Sequence, residues 1–235
     1  MSSYKIFETH AHYDDEAFDE DRDVLLGSMD ENGIQEVVNV CASIDSLEKT
    51  KALMEKYSFV YGAFGIHPDD AELVTEEVLD KVRECCGLEK AVAVGEIGLD
   101  YYWHKEAGEH ELQKKVFRQQ MEIARELHMP FMVHSREAAA DTLDLVKDCV
   151  NEGMYGGIIH CFSYGKEMAK EYLNMGLYLG IGGVVTFNNA RKVKEVVEYA
   201  PLEQIVLETD SPYLSPVPYR GKRNCSLNLP LVAEE

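Results

Sequence analysis

No apolar run in this 235-residue chain approaches the roughly 18 residues that a membrane-crossing helix needs. The opening segment, Met-Ser-Ser-Tyr-Lys-Ile-Phe-Glu, also lacks the charged-then-apolar profile of a secretory leader. A cytoplasmic protein is expected, with no membrane contact and no obligate protein partner. The six cysteines form no C-x-x-C pair, and the vicinal Cys85 and Cys86 are poorly placed to bridge each other. Reduced, structural thiols are the expectation. Positive charge is scarce: 23 basic residues face 43 acidic ones, for a net charge of −20. That argues against nucleic-acid binding by general electrostatics, which rests on neutralising phosphates. It leaves open an enzyme that grips a phosphodiester through bound cations. No linker-like, low-complexity or charge-block segment divides the chain, so one domain is expected over residues 1–235.

What the sequence does contain is a regular alternation of short β-rich runs with helical stretches. Candidate strands are 5–9, 36–41, 59–65, 91–96, 130–134, 157–160, 176–182 and 204–209. Most are continuous apolar runs, as parallel strands covered on both faces require. Between them, helical spacing marks 20–32, 46–57, 76–85, 109–128, 139–150, 166–174 and 189–198. In 109–128, Leu112, Val116, Phe117, Met121, Ala124 and Leu127 form one apolar stripe. Eight strand–helix units predict a closed (β/α)8 barrel of the TIM type. The last helix is expected to be truncated after about its first turn.

In such a barrel functional side chains sit where strands end at the C-terminal face. Six potential metal ligands fall at such positions: His10 and His12, Glu96, His134, His160 and Asp210. A lone strand-end histidine is commonly structural, and an acid before Ser-Pro can be a helix cap. Four histidines and two acids at five strand ends point instead to a metal site. Six ligands exceed what one open catalytic zinc takes, and a carboxylate can bridge two cations about 3.5–4 Å apart. The expected arrangement is two divalent ions, with His10, His12 and Asp210 on one, His134 and His160 on the other, and Glu96 bridging. Mixed imidazole and carboxylate ligation suits Zn, Mn, Ni or Co, with Mg a further occupant.

The segments carrying these residues are 8–14 (ETHAHYD), 65–68 (GIHP), 95–102 (GEIGLDYY), 133–136 (VHSR), 160–163 (HCFS) and 208–213 (ETDSPY). In this order, over residues 8 to about 230, the chain resembles the TatD-type deoxyribonucleases, metal-dependent nucleases with amidohydrolase-type barrels. The resemblance implies hydrolysis of phosphodiester bonds in DNA, single-stranded and 3′–5′ exonucleolytic, with RNA a further substrate in some members. It implies the same six metal ligands. Glu8 stands where such proteins often carry Asp, and could still orient a ligand.

The expected chemistry is in-line attack on phosphorus by a water activated between two metals, with Asp210 as general base. Glu96 is the second catalytic candidate. His67 and Arg136 are candidate phosphate donors. Arg220, Lys222 and Arg223, on the loop after the eighth strand, are candidate contacts to the nucleic-acid backbone. Tyr102, with Tyr101 and Trp103 around it, is a candidate for stacking on unpaired bases. An amidohydrolase acting on a small amide or ester is the alternative enzyme, since the same metal pair could attack a carbonyl. A non-enzymatic scaffold is the second rival; six strand-end ligands argue against it.

Overall fold

The computed structural model describes residues 5–235. Eight parallel strands follow one another around the sheet in chain order. They are β1 (Ile6–Ala11), β2 (Ile34–Val40), β3 (Val60–Phe64), β4 (Ala91–Asp100), β5 (Phe131–Arg136), β6 (Gly157–Ile159), β7 (Tyr178–Ile181) and β8 (Ile205–Leu207). The eighth meets the first just beyond its end: Asp210 N donates to His10 O at 2.9 Å and His12 N to Ser211 O at 2.8 Å. The Thr9 hydroxyl adds a bond to Leu207 O. These bonds close the barrel at its C-terminal rim, where the functional residues lie.

The helices between the strands are α1 (Arg22–Gly27), α2 (Ile44–Lys56), α3 (Glu76–Cys86), α4 (Ala107–Glu126), α5 (Ala139–Asn151), α6 (Lys166–Asn174), α7 (Arg191–Tyr199) and α8 (Leu229–Ala233). The helix expected over 20–32 is broken. After α1 the chain turns at Ser28, whose hydroxyl donates back to Leu25 O. A 3-10 turn, Asp30–Asn32, then ends at Gly33, which takes the left-handed φ of 83°. The final helix is short, with Leu229 and Val232 buried. No helix among the described residues is long and apolar enough to cross a membrane.

Strand alternation separates two apolar sets. Asn39 and Cys41 turn outward and bond the Thr50 hydroxyl of α2. Val38 and Val40 therefore turn inward, and with Ala63, Ala93 and Met132 they form a small separate cluster inside the barrel. The larger cluster packs strands against helices.

Two polar residues of α4 anchor the strand ends. The apolar stripe of this helix is buried at Val116, Phe117, Met121 and Ala124, while the terminal Leu112 and Leu127 are exposed. Buried between these residues are Gln113 and Gln120. Gln120 accepts from Ile66 N at 2.7 Å and donates to Ile66 O at 3.0 Å. Gln113 accepts from Asp100 N at 3.0 Å and donates to Asp100 O and Pro68 O. Two side-chain amides thus satisfy loop backbone that would be costly to bury unpaired, and pin the ends of β3 and β4.

Candidate metal centre

Period-two spacing puts Glu8, His10 and His12 on one side of β1. The Glu8 carboxylate is fully buried and accepts from His10 N, Thr209 N and the Thr209 hydroxyl. It therefore orients the backbone of one candidate ligand and ties it to the segment after β8. Burial pushes its pKa up to about 7, against those hydrogen bonds. His12 Nδ1 lies 2.8 Å from Val40 O. A carbonyl only accepts, so Nδ1 carries the proton and a neutral His12 presents a bare Nε2 lone pair.

The two oxygens of Glu96 divide the cluster. Oε2 is 3.4 Å from His10 Nε2 and 3.7 Å from His12 Nε2. Oε1 is 2.9 Å from His134 Nδ1 and 3.5 Å from His160 Nε2. Asp210 Oδ1 lies 3.3 Å from His12 Nε2 and 3.7 Å from His160 Nε2. His160 stacks on His10 with ring centroids 3.5 Å apart. All six expected residues are brought together.

Their grouping differs from the expected division. Among the described residues, the sets close enough to share one ion are His10–His12–Glu96, His10–His160–Asp210, His67–Glu96–His134 and His160–Cys161–Glu208. His160, whose ring stacks on His10, thus groups with His10 and Asp210 and not with His134, and His67 takes the place beside His134 and Glu96.

This donor set fits divalent cations. His10 Nε2 and His12 Nε2 face each other at 3.3 Å, which only one proton, or a shared cation, makes favourable. His10 Nδ1 is buried without a hydrogen-bond partner. Imidazole nitrogens and carboxylate oxygens converging in this way match the chemistry of such ions.

Electrostatics hold the acids ionised. Burial pushes the Glu96 carboxyl up, but the His160 and His10 charges outweigh it and keep its pKa well below the ordinary value. Asp210 is likewise lowered, with the His12 hydrogen bond and the His160 charge overcoming burial. The reverse holds for the imidazoles. Burial pulls His12 and His134 down, but hydrogen bonds donated to Asp210 and to Asp100 respectively, with Glu96 nearby, raise both to about 9. His160 rises to about 10 against burial, mainly through Glu208 and Glu96. His10 is lowered by burial and by the His160 charge.

Glu96 itself is not at a strand end, as the sequence pattern suggested. It lies inside β4, which runs four residues further, to Asp100. The β4–β5 register slips between Val94 and Ile97, and Glu96 N donates across to Cys41 O at 2.9 Å. The strand-end acid is Asp100, which the sequence reading did not single out.

Glu208 is the second residue missed. It is fully buried, accepts from Cys161 N at 2.6 Å and has Oε1 3.1 Å from His160 Nδ1. The signal was available: Glu96 and Asp100, like Glu208 and Asp210, repeat the even spacing that marked His10 and His12.

The candidate substrate contacts separate. His67, Arg136, Trp103 and five of the six cluster residues, all but the buried His10, line one cleft of about 650 Å³. His67 caps the 3-10 turn Pro68–Leu73 by accepting from Asp69 N. Tyr102 is beside the cleft but not in its wall; its ring lies under Arg136, 4.0 Å from the guanidinium carbon. Arg220 is exposed and stacks on Phe187 at 4.2 Å, and Lys222 lies 5.8 Å from the Tyr219 ring. Arg223 makes two bonds to Asp21, at 2.7 and 2.6 Å, and one to Ala17 O, so its donors clamp the loop onto the segment before α1, and it is not among the residues lining the cleft.

The chain's relatives bear on this geometry. A family model described as TatD related DNase matches residues 7–235. An uncharacterized metal-dependent hydrolase, YabD of Bacillus subtilis, is 40% identical over 230 residues, covering 98% of this chain and 89% of that protein. A protein of Cronobacter sakazakii named 3′-5′ ssDNA/RNA exonuclease TatD is 31% identical over 200 residues, 85% of this chain and 75% of its own. Among solved structures, YJJV, a TatD homolog from Escherichia coli K12, superposes with a TM-score of 0.89 at 26% identity, over 97% of this chain and 87% of that one.

Proposed function

The chain belongs to the TatD-related DNase family, and from that premise we propose that it is a metal-dependent nuclease hydrolysing phosphodiester bonds of single-stranded DNA, or RNA. The observation that carries this reading is the convergence of His12, Glu96, His134, His160 and Asp210 on one cleft that also exposes Arg136, with His10 buried directly behind them. A relative with the matching name supports the substrate class.

Two divalent cations bound there would polarise the phosphoryl oxygen, lower the pKa of water and neutralise charge on the leaving oxygen. His10 and His12 with Glu96 would hold one, and His134 and His67 with Glu96 the other, while His160 and Asp210 stand close enough to His10 to join the first. The remaining work falls to the chain. Asp210 sits at the cleft wall with its carboxyl held ionised, so it can take the proton of the attacking water. The Asp210 backbone, at a left-handed φ of 57°, is anchored through N–H to His10 O. Arg136 can pair with a non-bridging phosphate oxygen through a planar fork of donors. His67 offers a further nitrogen on the cleft wall, beside His134, whose ring it meets at 4.4 Å.

The deciding assay is digestion of a labelled single-stranded oligonucleotide with and without EDTA, followed by add-back of Mn²⁺, Mg²⁺ or Zn²⁺. A ladder that vanishes with chelator and returns with metal supports the proposal. Turnover of small amides or esters, with oligonucleotides untouched, would replace it by the amidohydrolase alternative.

A further inference from the structure

Trp103 is the one tryptophan of the chain, and it is 65% exposed while lining the cleft that holds the ligand cluster. An exposed indole beside a polar site has unfavourable apolar surface that a ligand could cover. Arg136 approaches this indole, 5.6 Å from the ring centre, and packs more closely on the neighbouring Tyr102. The Arg136 guanidinium carbon lies 4.0 Å from the Tyr102 ring centre and Lys105 Nζ 5.3 Å from it. The Trp103 ring meets Tyr102 edge-on, at 4.7 Å and 84°.

The pair is also rigid at the backbone. Asp100 Oδ1 accepts from Tyr102 N at 2.8 Å and Trp103 N at 3.1 Å, and Gln113 of α4 fixes Asp100 in turn. The backbone that carries Trp103 is therefore held in place, and the edge-on contact with Tyr102 orients its ring, which lowers the ordering cost to a ligand.

We propose that Trp103 is a stacking platform for an unpaired nucleobase of the substrate, with Arg136, propped on Tyr102, gripping the adjoining phosphate. The inference rests on the nuclease reading and names the residue that selects unpaired strands. It also answers a problem of charge. Arg136 is the only Arg or Lys among the described residues lining the cleft, in a protein of net charge −20. Affinity here cannot come mainly from counterion release. Stacking is insensitive to the charge of the protein and needs no base sequence. Bases inside a duplex are stacked on both faces and cannot use an indole this way, so the platform favours unpaired strands over duplex interiors.

The sole tryptophan makes the test direct. The metal-loaded protein is titrated with a five-residue phosphorothioate-linked thymidine strand, and with the same backbone carrying abasic sites. The expected result is saturable quenching of Trp103 emission by the thymidine strand at a Kd about 5- to 150-fold tighter than the abasic strand gives. Anisotropy of the labelled strands then measures Trp103→Ala and Trp103→Phe. The thymidine-to-abasic ratio should fall toward one in Trp103→Ala and survive largely intact in Trp103→Phe. Unchanged ratios in folded Trp103→Ala, with metal-dependent cleavage of natural strands retained, overturn the platform and leave the nuclease reading standing. No cleavage of any strand by the wild-type protein removes both.

Discussion

Asp100 joins a candidate metal ligand to the substrate-facing loop: its Oδ2 lies 3.3 Å from His134 Nε2, while Oδ1 holds the amides of Tyr102 and Trp103. One buried carboxylate thus fixes both the orientation of an imidazole whose Nδ1 faces Glu96 and the position of the exposed aromatic ring.

Replacing Asp100 should accordingly disturb two properties at once. Outer partners of ligating histidines are worth about 10–100-fold in metal affinity or activity. Asp100→Ala is expected to weaken metal binding by that order and to blunt the Trp103 quench by oligonucleotide. Isothermal titration with Mn²⁺ reads the first effect; full metal affinity in a folded Asp100→Ala protein would show that His134 needs no support from this side.

Asp210→Asn separates general-base action from ligation. An amide keeps an oxygen toward His12 and His160 but cannot take a proton at neutral pH. Turnover should fall by about 10²–10⁴-fold, and bound metal, counted by elemental analysis, should fall far less. Parallel loss of the two would reduce Asp210 to a ligand.

Metal binding should expel protons. In the metal-free protein, His12 and His134 hold theirs to about pH 9 and His160 to about pH 10. A cation must displace those protons, because only neutral imidazole ligates. Affinity therefore rises with pH from 7 to about 10 and levels above it, when the proton is already lost. Calorimetry at pH 7.5 in two buffers of different ionisation enthalpy should give binding heats that differ; equal heats would mean that the imidazoles are neutral beforehand.

Arg220 and Arg223 should behave oppositely despite their nearness in sequence. Arg223→Ala removes the pair to Asp21, a partly exposed contact worth about 1 kcal/mol or less, and should lower Tm slightly with no change in the salt dependence of strand binding. Arg220→Ala should leave Tm in place and reduce the slope of log K against log salt by about 0.7, one single-strand phosphate. The reverse assignment of effects would return Arg223 to the binding face.

A glycine tests how tightly His160 is supported. A Cβ at Gly180 would fall 2.2 Å from Glu208 Oε2, whereas one at Gly108 meets nothing within 4 Å. Gly180→Ala is expected to cost about 1–3 kcal/mol by overpacking and to loosen metal binding through Glu208. Gly108→Ala, near the start of α4, should be neutral or stabilise by up to about 1 kcal/mol. Equal melting temperatures for the two variants would mean that Glu208 can move aside freely.

The barrel itself was legible in the sequence, because eight apolar runs separated by amphipathic stretches admit few other closures. So were the six cluster residues, whose side chains are rare enough and placed regularly enough to be noticed along a strand. The break after α1 was not, since helical spacing continues across Ser28 and only the hydrogen bond back to Leu25 O reveals the turn.

Local pattern fixes what is encoded within a few residues: strand, helix, and which side chains share a face. It could not decide that β4 runs on past Glu96 to end at Asp100, that His160 stacks on His10, or that Arg223 turns to Asp21 while Trp103 stays exposed. Those outcomes depend on which segments, from 2 to over 200 residues apart, come within a few ångströms when the barrel closes. Hydrogen bonds and ring contacts act only at that range, so the closed tertiary structure alone selects them.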